Sequence, residues 1–171
     1  MNIKNFEFKA RVDDVGFYEQ KLLTLNPVYK GEDHQIDTYF NAPKGRLKLR
    51  EGTIENALIN YQRENSADAK LSEVILYQHT PDKALKDILT AQLGVKIVVD
   101  KIRKIYFIDN VKFHFDLVVG LGTFIEVEAI DDKEQFTIAE LKAQCDKYFS
   151  FFKLEKSNLI DKSYSDLIAA L

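Results

Sequence analysis

Residues 111–129 read VKFHFDLVVGLGTFIEVEA, and the alternation in this stretch decides the fold. Phe113, Phe115 and Leu117 alternate with His114 and Asp116; past Gly120-Leu121-Gly122, Glu126 and Glu128 flank Val127. A strand sends successive side chains to opposite faces, so each half has one apolar and one ionisable face. The glycine-rich segment reads as the turn between two antiparallel strands. An ordinary half-exposed sheet takes Thr, Ser, Gln or mixed charge on its outer face. Here the polar partners are selectively ionic.

The same pattern runs through the chain. Phe6, Phe8, Ala10 and Val12 alternate with Glu7, Lys9 and Arg11. Further strands are predicted over 35–40, 46–50, 58–63, 74–78, 95–99 and 103–108, with Lys48 and Arg50 between leucines, Arg63 two residues after Tyr61, and Lys101 and Arg103 flanking Ile102. Helical spacing predicts a first helix carrying Val15, Tyr18, Leu22 and Leu25, capped by Asp13 or Asp14 and stopped by Pro27. Thr80-Pro81 opens a second helix that ends at Gly94; Thr137 and Glu140 form a capping box for a third, and a short helix carries Tyr164, Leu167 and Ile168. If all the strands join one curved sheet, its closure gathers bases and acids in a single lumen.

The 171 residues suit one domain, 1–171, and no stretch reads as a linker. With 46% hydrophobic and 30% charged residues, the composition excludes disorder and a membrane bundle. Net charge is −3, which supplies no basic field for nucleic acid. The single cysteine, Cys145, cannot form an internal disulfide and lies on the apolar stripe of the third helix. No basic-then-apolar leader opens the sequence, so a cytoplasmic setting is expected.

Lys9, Lys48, Arg50, Arg63, Lys101 and Arg103 form a set of cations suited to phosphate, Arg as a planar fork and Lys as a point charge. Glu7, Asp116, Glu126 and Glu128 are the hard oxygen donors that Mg²⁺ or Mn²⁺ prefers beside phosphates. The competing reading is a solvated sheet face with cross-strand ion pairs, or charge protecting an edge. Only a closed sheet separates them.

Several motifs in order resemble the CYTH family, the triphosphate tunnel metalloenzymes, and wording such as Lys44-Gly45-Arg46-Leu47-Lys48-Leu49-Arg50 is similar to its class IV adenylyl cyclase-like bacterial branch. Phe6-Glu7-Phe8-Lys9 is similar to the Glu-x-Glu-x-Lys signature, with Asn5 where the first Glu stands. Asp37-Thr38-Tyr39-Phe40, Gly45 to Glu51, Lys101-Ile102-Arg103, Asp116, Gly120 to Glu128 and Lys162-Ser163-Tyr164 follow. The resemblance implies an α+β fold, an eight-stranded closed antiparallel β-barrel with flanking helices. It also implies a triphosphate gripped by Lys9, Lys48, Arg50, Arg63, Lys101 and Arg103, with Lys162 a weaker addition. Glu7, Asp116, Glu126 and Glu128 would hold Mg²⁺ or Mn²⁺, and Glu126 and Glu128 would also act in catalysis.

Three functions follow. The first is hydrolysis of a small-molecule triphosphate (inorganic triphosphate, ATP or thiamine triphosphate), with a second metal or an acid such as Glu126 or Glu128 positioning the water. The second is an adenylyl cyclase making cyclic AMP from ATP, in which Tyr39, Tyr61 or Phe124 would stack on a base, although aromatics at strand positions are more often core. The third is a binding module without turnover. His114 interests us beside Asp116, a structural hydrogen-bonded role being the favoured one. No nucleic-acid or membrane partner is implied, and a homodimer is compatible with long exposed strands.

Overall fold

The computed structural model describes residues 2–63 and 70–171, the side chains of Asn2, Arg63 and Lys70 excepted. Among these residues the order is β1 (Asn2–Arg11), α1 (Val15–Leu23), β2 (Val28–Phe40), β3 (Arg46–Gly52), β4 (Ala57–Arg63), β5 (Lys70–Gln78), α2 (Lys83–Leu93), β6 (Val95–Ile108), β7 (Val111–Val118), β8 (Gly122–Asp131), α3 (Ile138–Phe152) and α4 (Tyr164–Ala169). The strands close into a barrel in the order β1-β5-β4-β3-β2-β6-β7-β8, every pairing antiparallel. Closure removes the sheet edges and gives each strand an inside and an outside.

The hydrophobic core lies outside the barrel. Phe6, Phe8 and Ala10 of β1, Val111, Phe113 and Phe115 of β7, and Ile125, Val127 and Ala129 of β8 meet Leu141, Cys145, Tyr148 and Phe152 of α3 and Leu22 of α1. Phe113 stands edge-on to Tyr148 at 4.7 Å between ring centroids, a favoured aromatic geometry. A second cluster at one end of the barrel packs Tyr39, Val99, Val118 and Phe124 against Tyr164, Leu167 and Ile168. With these apolar faces of β1, β7 and β8 turned outward, Glu7, Lys9, His114, Glu126 and Glu128 are left to line the interior.

The predicted elements are present with altered limits. The two strands expected at 95–99 and 103–108 are one 14-residue strand, because Val99, Lys101, Arg103 and Ile105 keep one inward parity through the charged stretch. α1 stops at Leu23, since Asn26 takes a left-handed φ of 52° and leaves Leu25 exposed. The cap of α2 is Asp82, whose carboxylate accepts from the Ala84 amide, rather than Thr80. β2 begins at Val28 and β5 at Lys70, earlier than their hydrophobic alternation shows. The capping box of Thr137 and Glu140 is present. No helix among the described residues is long and apolar enough to cross a membrane.

Candidate functional site

The barrel interior holds a cavity of about 570 Å³. Lys9, Lys48, Arg50, Lys101 and Arg103 line it together with Glu7, Glu126 and Glu128, so groups from β1, β3, β6 and β8 converge on one space.

One wall is cationic, and Asp37 organises it. The Asp37 carboxylate accepts from Arg50 Nε at 2.8 Å and Nη2 at 2.9 Å, from Lys48 Nζ at 2.9 Å and from Lys101 Nζ at 2.8 Å. Register dictates this meeting: Asp37 lies opposite Arg50 on β3, and its neighbour in parity, Gln35, lies opposite Lys101 on β6. Burial would raise the Asp37 pKa, but Arg50, Lys101 and Lys48 outweigh it and hold the carboxyl well below the ordinary range. Asp37 alone does not balance these three cations. Burial, with Arg50 and Arg103 nearby, pulls the Lys101 pKa below its usual value against the pull of Asp37. A second pair of oxygens comes from Glu55, which binds Arg50 Nη1 at 3.0 Å and also Lys112. The turn carrying Glu55 is fixed by buried Asp33, which accepts from the Ile54 and Glu55 amides and Thr53 Oγ1 at 2.9–3.0 Å. Gly52 permits this approach, since a Cβ there would stand 2.7 Å from Asp33 Oδ1.

The other wall is acidic. Glu7 on β1 lies directly opposite Glu128 on β8, and Lys9 opposite Glu126. Like charges placed opposite each other cost stability; on their other sides in register Glu7 lies opposite Lys70 and Glu128 opposite Lys112. Glu126 takes Arg103 Nη2 at 2.7 Å and has Lys9 Nζ at 3.6 Å; against burial, these two keep its pKa well below the ordinary range. Glu128 goes the other way: burial, then Glu126 and Glu7, push its pKa up to about 7. His114 is buried with Nδ1 3.4 Å from Glu126 Oε2 and 3.8 Å from Glu128 Oε1. Burial and Arg103 lower its pKa to about 3, so the ring is neutral, and its Nε2 has no hydrogen-bond partner. Ligand atoms of His114, Glu126 and Glu128 all lie within 4.8 Å of one another. Glu126 and Glu128 beside a neutral imidazole offer oxygen and nitrogen donors of the kind that fit a divalent cation.

The remaining expected residues stand elsewhere. Asp116 is fully buried and does not line the cavity, its oxygens taken by Arg103 Nε at 2.7 Å, Arg103 Nη2 at 2.6 Å and the Tyr164 hydroxyl at 2.6 Å. Lys162 is exposed and does not line the cavity; Ser163 and Tyr164 beside it do. Arg63 ends β4, and its side chain lies outside the described residues. Of the aromatics considered for stacking, Phe124 is core, whereas Tyr39 and Tyr61 line the cavity with Lys48 Nζ 5.5 and 5.7 Å from their ring centroids. Asp37, Glu55, Lys112 and Tyr164 were not expected at the site. For Asp37 and Lys112 the signal was parity, shared with Gln35 and His114; Glu55 sits in a turn with no pattern to read. Tyr164 reads as helix packing from sequence, yet Lys9 Nζ stands 3.9 Å above its ring centroid.

Residues 4–162 match the CYTH domain. The adenylate cyclase CyaB of Aeromonas hydrophila is 27% identical over 168 residues, covering 94% of this chain and 86% of its own. Among solved structures, the PH1012 protein from Pyrococcus horikoshii OT3 superposes with a TM-score of 0.80 at 23% identity over 95% of this chain and 98% of that one. The putative adenylyl cyclase HpAC1 from Hippeastrum, described as having a dominant triphosphatase activity, gives 0.61 at 13% identity over 99% and 96%. The two structures share the fold, and the domain match runs from the first strand to the residue before the α4 cap: the chain belongs to the CYTH family.

Proposed function

We propose that this protein is a divalent-metal-dependent enzyme that hydrolyses a triphosphate held inside the barrel. The observation that carries the reading is the cavity itself, in which a cationic wall gathered around Asp37 faces the acidic groups Glu7, Glu126 and Glu128. Lys48, Arg50, Lys101 and Arg103 bind and orient the phosphates, with Lys9 reaching between the walls; Arg63 is assigned with them on the family's pattern. Asp116 acts on Arg103 as a positioning residue by fixing the guanidinium plane. Glu7, Glu126 and Glu128, with His114 alongside, would hold the metal, which when bound supplies charge neutralisation at the phosphate oxygens. Glu128, beside Glu126 and His114, is placed to orient an attacking water. No covalent nucleophile is needed, and the buried Cys145 thiol, pushed up to about 12 by burial, is inert.

A cyclase is the second reading, favoured by the Aeromonas relative's name. It uses the same grip with a ribose hydroxyl replacing water. The test is incubation with ATP, inorganic triphosphate and thiamine triphosphate in Mg²⁺ or Mn²⁺ with separation of products. Orthophosphate supports hydrolysis, cyclic AMP the cyclase, and binding without product a non-catalytic module. Lys48→Ala and Glu126→Ala should each abolish most activity; full activity in both overturns the site assignment.

A further inference from the structure

Among the described residues that line the cavity, Glu55 is the carboxylate that belongs to no strand. It sits in the turn between β3 and β4, where its Oε2 accepts from Arg50 Nη1 at 3.0 Å and Gln35 Nε2 at 3.1 Å, and its Oε1 accepts from Lys112 Nζ. Arg50 is on β3 and Lys112 on β7, with β2 and β6 between them in the barrel order, so one side chain ties together parts of the lining that no strand pairing joins. Burial raises the Glu55 pKa, but Lys112 and Arg50 outweigh it and hold the carboxyl below the ordinary range; the group is an anion.

The base of this residue is fixed and its head is not. The Asp33 carboxylate accepts from the Ile54 and Glu55 amides and so holds the backbone, whereas the Glu55 side chain is 26% exposed against 1% for that of Asp37. Side-chain torsions alone can carry the carboxylate toward water without moving the turn. Its departure leaves the Arg50 plane in place, because Nε and Nη2 stay on Asp37, and releases Nη1. It also releases Lys112, which in register stands opposite Glu128. The two donors are then spaced for an anion with two acceptor oxygens, which a phosphate group offers as a carboxylate does, with more charge.

We propose that Glu55 is a resident anion of the empty cavity, which holds Arg50 Nη1 and Lys112 until an entering phosphate group displaces it, and that Lys112 is then a phosphate ligand. The inference rests on the triphosphate reading above and adds to it a device that rejects weak anions. A singly charged anion offers the two cations no more than Glu55 does, and Glu55 competes at the high effective concentration of a tethered group. A phosphate group of a triphosphate exchanges that charge for a larger one.

The test is calorimetric titration of the full chain with inorganic triphosphate in EDTA, comparing Glu55→Gln, Glu55→Asp and Lys112→Met with the wild type. Glu55→Gln should tighten binding about tenfold, because a charge-assisted contact no longer has to be broken. Glu55→Asp keeps the charge but is one methylene too short to bridge, so it should tighten binding as well, and Lys112→Met should weaken it about tenfold. Unchanged or weaker binding in Glu55→Gln overturns the inference, as does unchanged binding in Lys112→Met. So does wild-type affinity in Glu55→Asp, which would show a charge acting at a distance without displacement. Each of these leaves the triphosphate reading intact, whereas no binding by the wild type overturns both. Should a variant fail to fold, wild-type crystals grown with inorganic triphosphate decide: a phosphate oxygen on Lys112 Nζ with Glu55 turned away supports displacement, and Glu55 still on Lys112 overturns it.

Discussion

Asp37→Asn removes one charge and almost no volume from the point where three cations meet. The carboxylate accepts from Arg50, Lys48 and Lys101 at 2.8–2.9 Å, and Asp37 and Lys101 are each only 1% exposed. Removing one partner of a buried ion pair costs roughly 3–5 kcal/mol, because the other charge stays in low dielectric. At about 2–4 °C per kcal/mol for a chain of this size, the melting temperature should fall by roughly 6–20 °C. The same loss makes the wall a better host for an anion. Triphosphate seated in the cavity replaces the missing negative charge, so it should raise the melting temperature of the variant by more than that of the wild type. Scanning fluorimetry with and without inorganic triphosphate reads both effects. A fall below about 2 °C, or an equal response to triphosphate, would refute the view that Asp37 is the internal counterion of an anion-binding wall.

Stability should also respond to pH through Glu128. Its folded pKa of about 7 lies above the ordinary value of 4.5, so the folded chain retains a proton that the unfolded chain releases. As pH rises through this window the metal-free protein should lose on the order of 1–3 kcal/mol in urea denaturation, and Glu128→Gln should flatten that slope. Asp37 and Glu126, both held below their ordinary values, act in the opposite sense and at lower pH. Tyr164→Phe keeps the ring under Lys9 but removes the donor to buried Asp116; it should cost about 1.5–3 kcal/mol of stability and shift triphosphate binding less than Lys101→Ala does, as titration would show.

The barrel is legible in the sequence because strands such as β1, β3 and β8 alternate cleanly, with Phe6 and Phe8 turned out and Glu7 and Lys9 turned in. The cationic and acidic walls are legible for the same reason, since inward parity is visible wherever charge alternates with leucine, isoleucine or valine. Sequence divides β6 in two because Asp100 and Lys101 interrupt the apolar count while the pleat continues through them. What sequence does not carry is which charge meets which across the lumen. Asp37 becomes the hub of three cations only through the registers of β2 with β3 and β6, and Asp116 is occupied by Arg103 and Tyr164, of which Tyr164 is distant in the chain. The apolar part of the lining is hidden for another reason: Val74 and Leu76 read as ordinary apolar strand residues, and only closure turns them into the cavity.

The central claim is that phosphates and metal share one enclosed space between the two ionic walls. A crystal structure with Mn²⁺ and a non-hydrolysable ATP analogue tests it directly. The account predicts phosphate oxygens within hydrogen-bonding distance of Lys48, Arg50, Lys101 and Arg103, and an anomalous manganese peak against Glu126 and Glu128. Phosphates bound on the outer face of the barrel, or manganese remote from those glutamates, would contradict it.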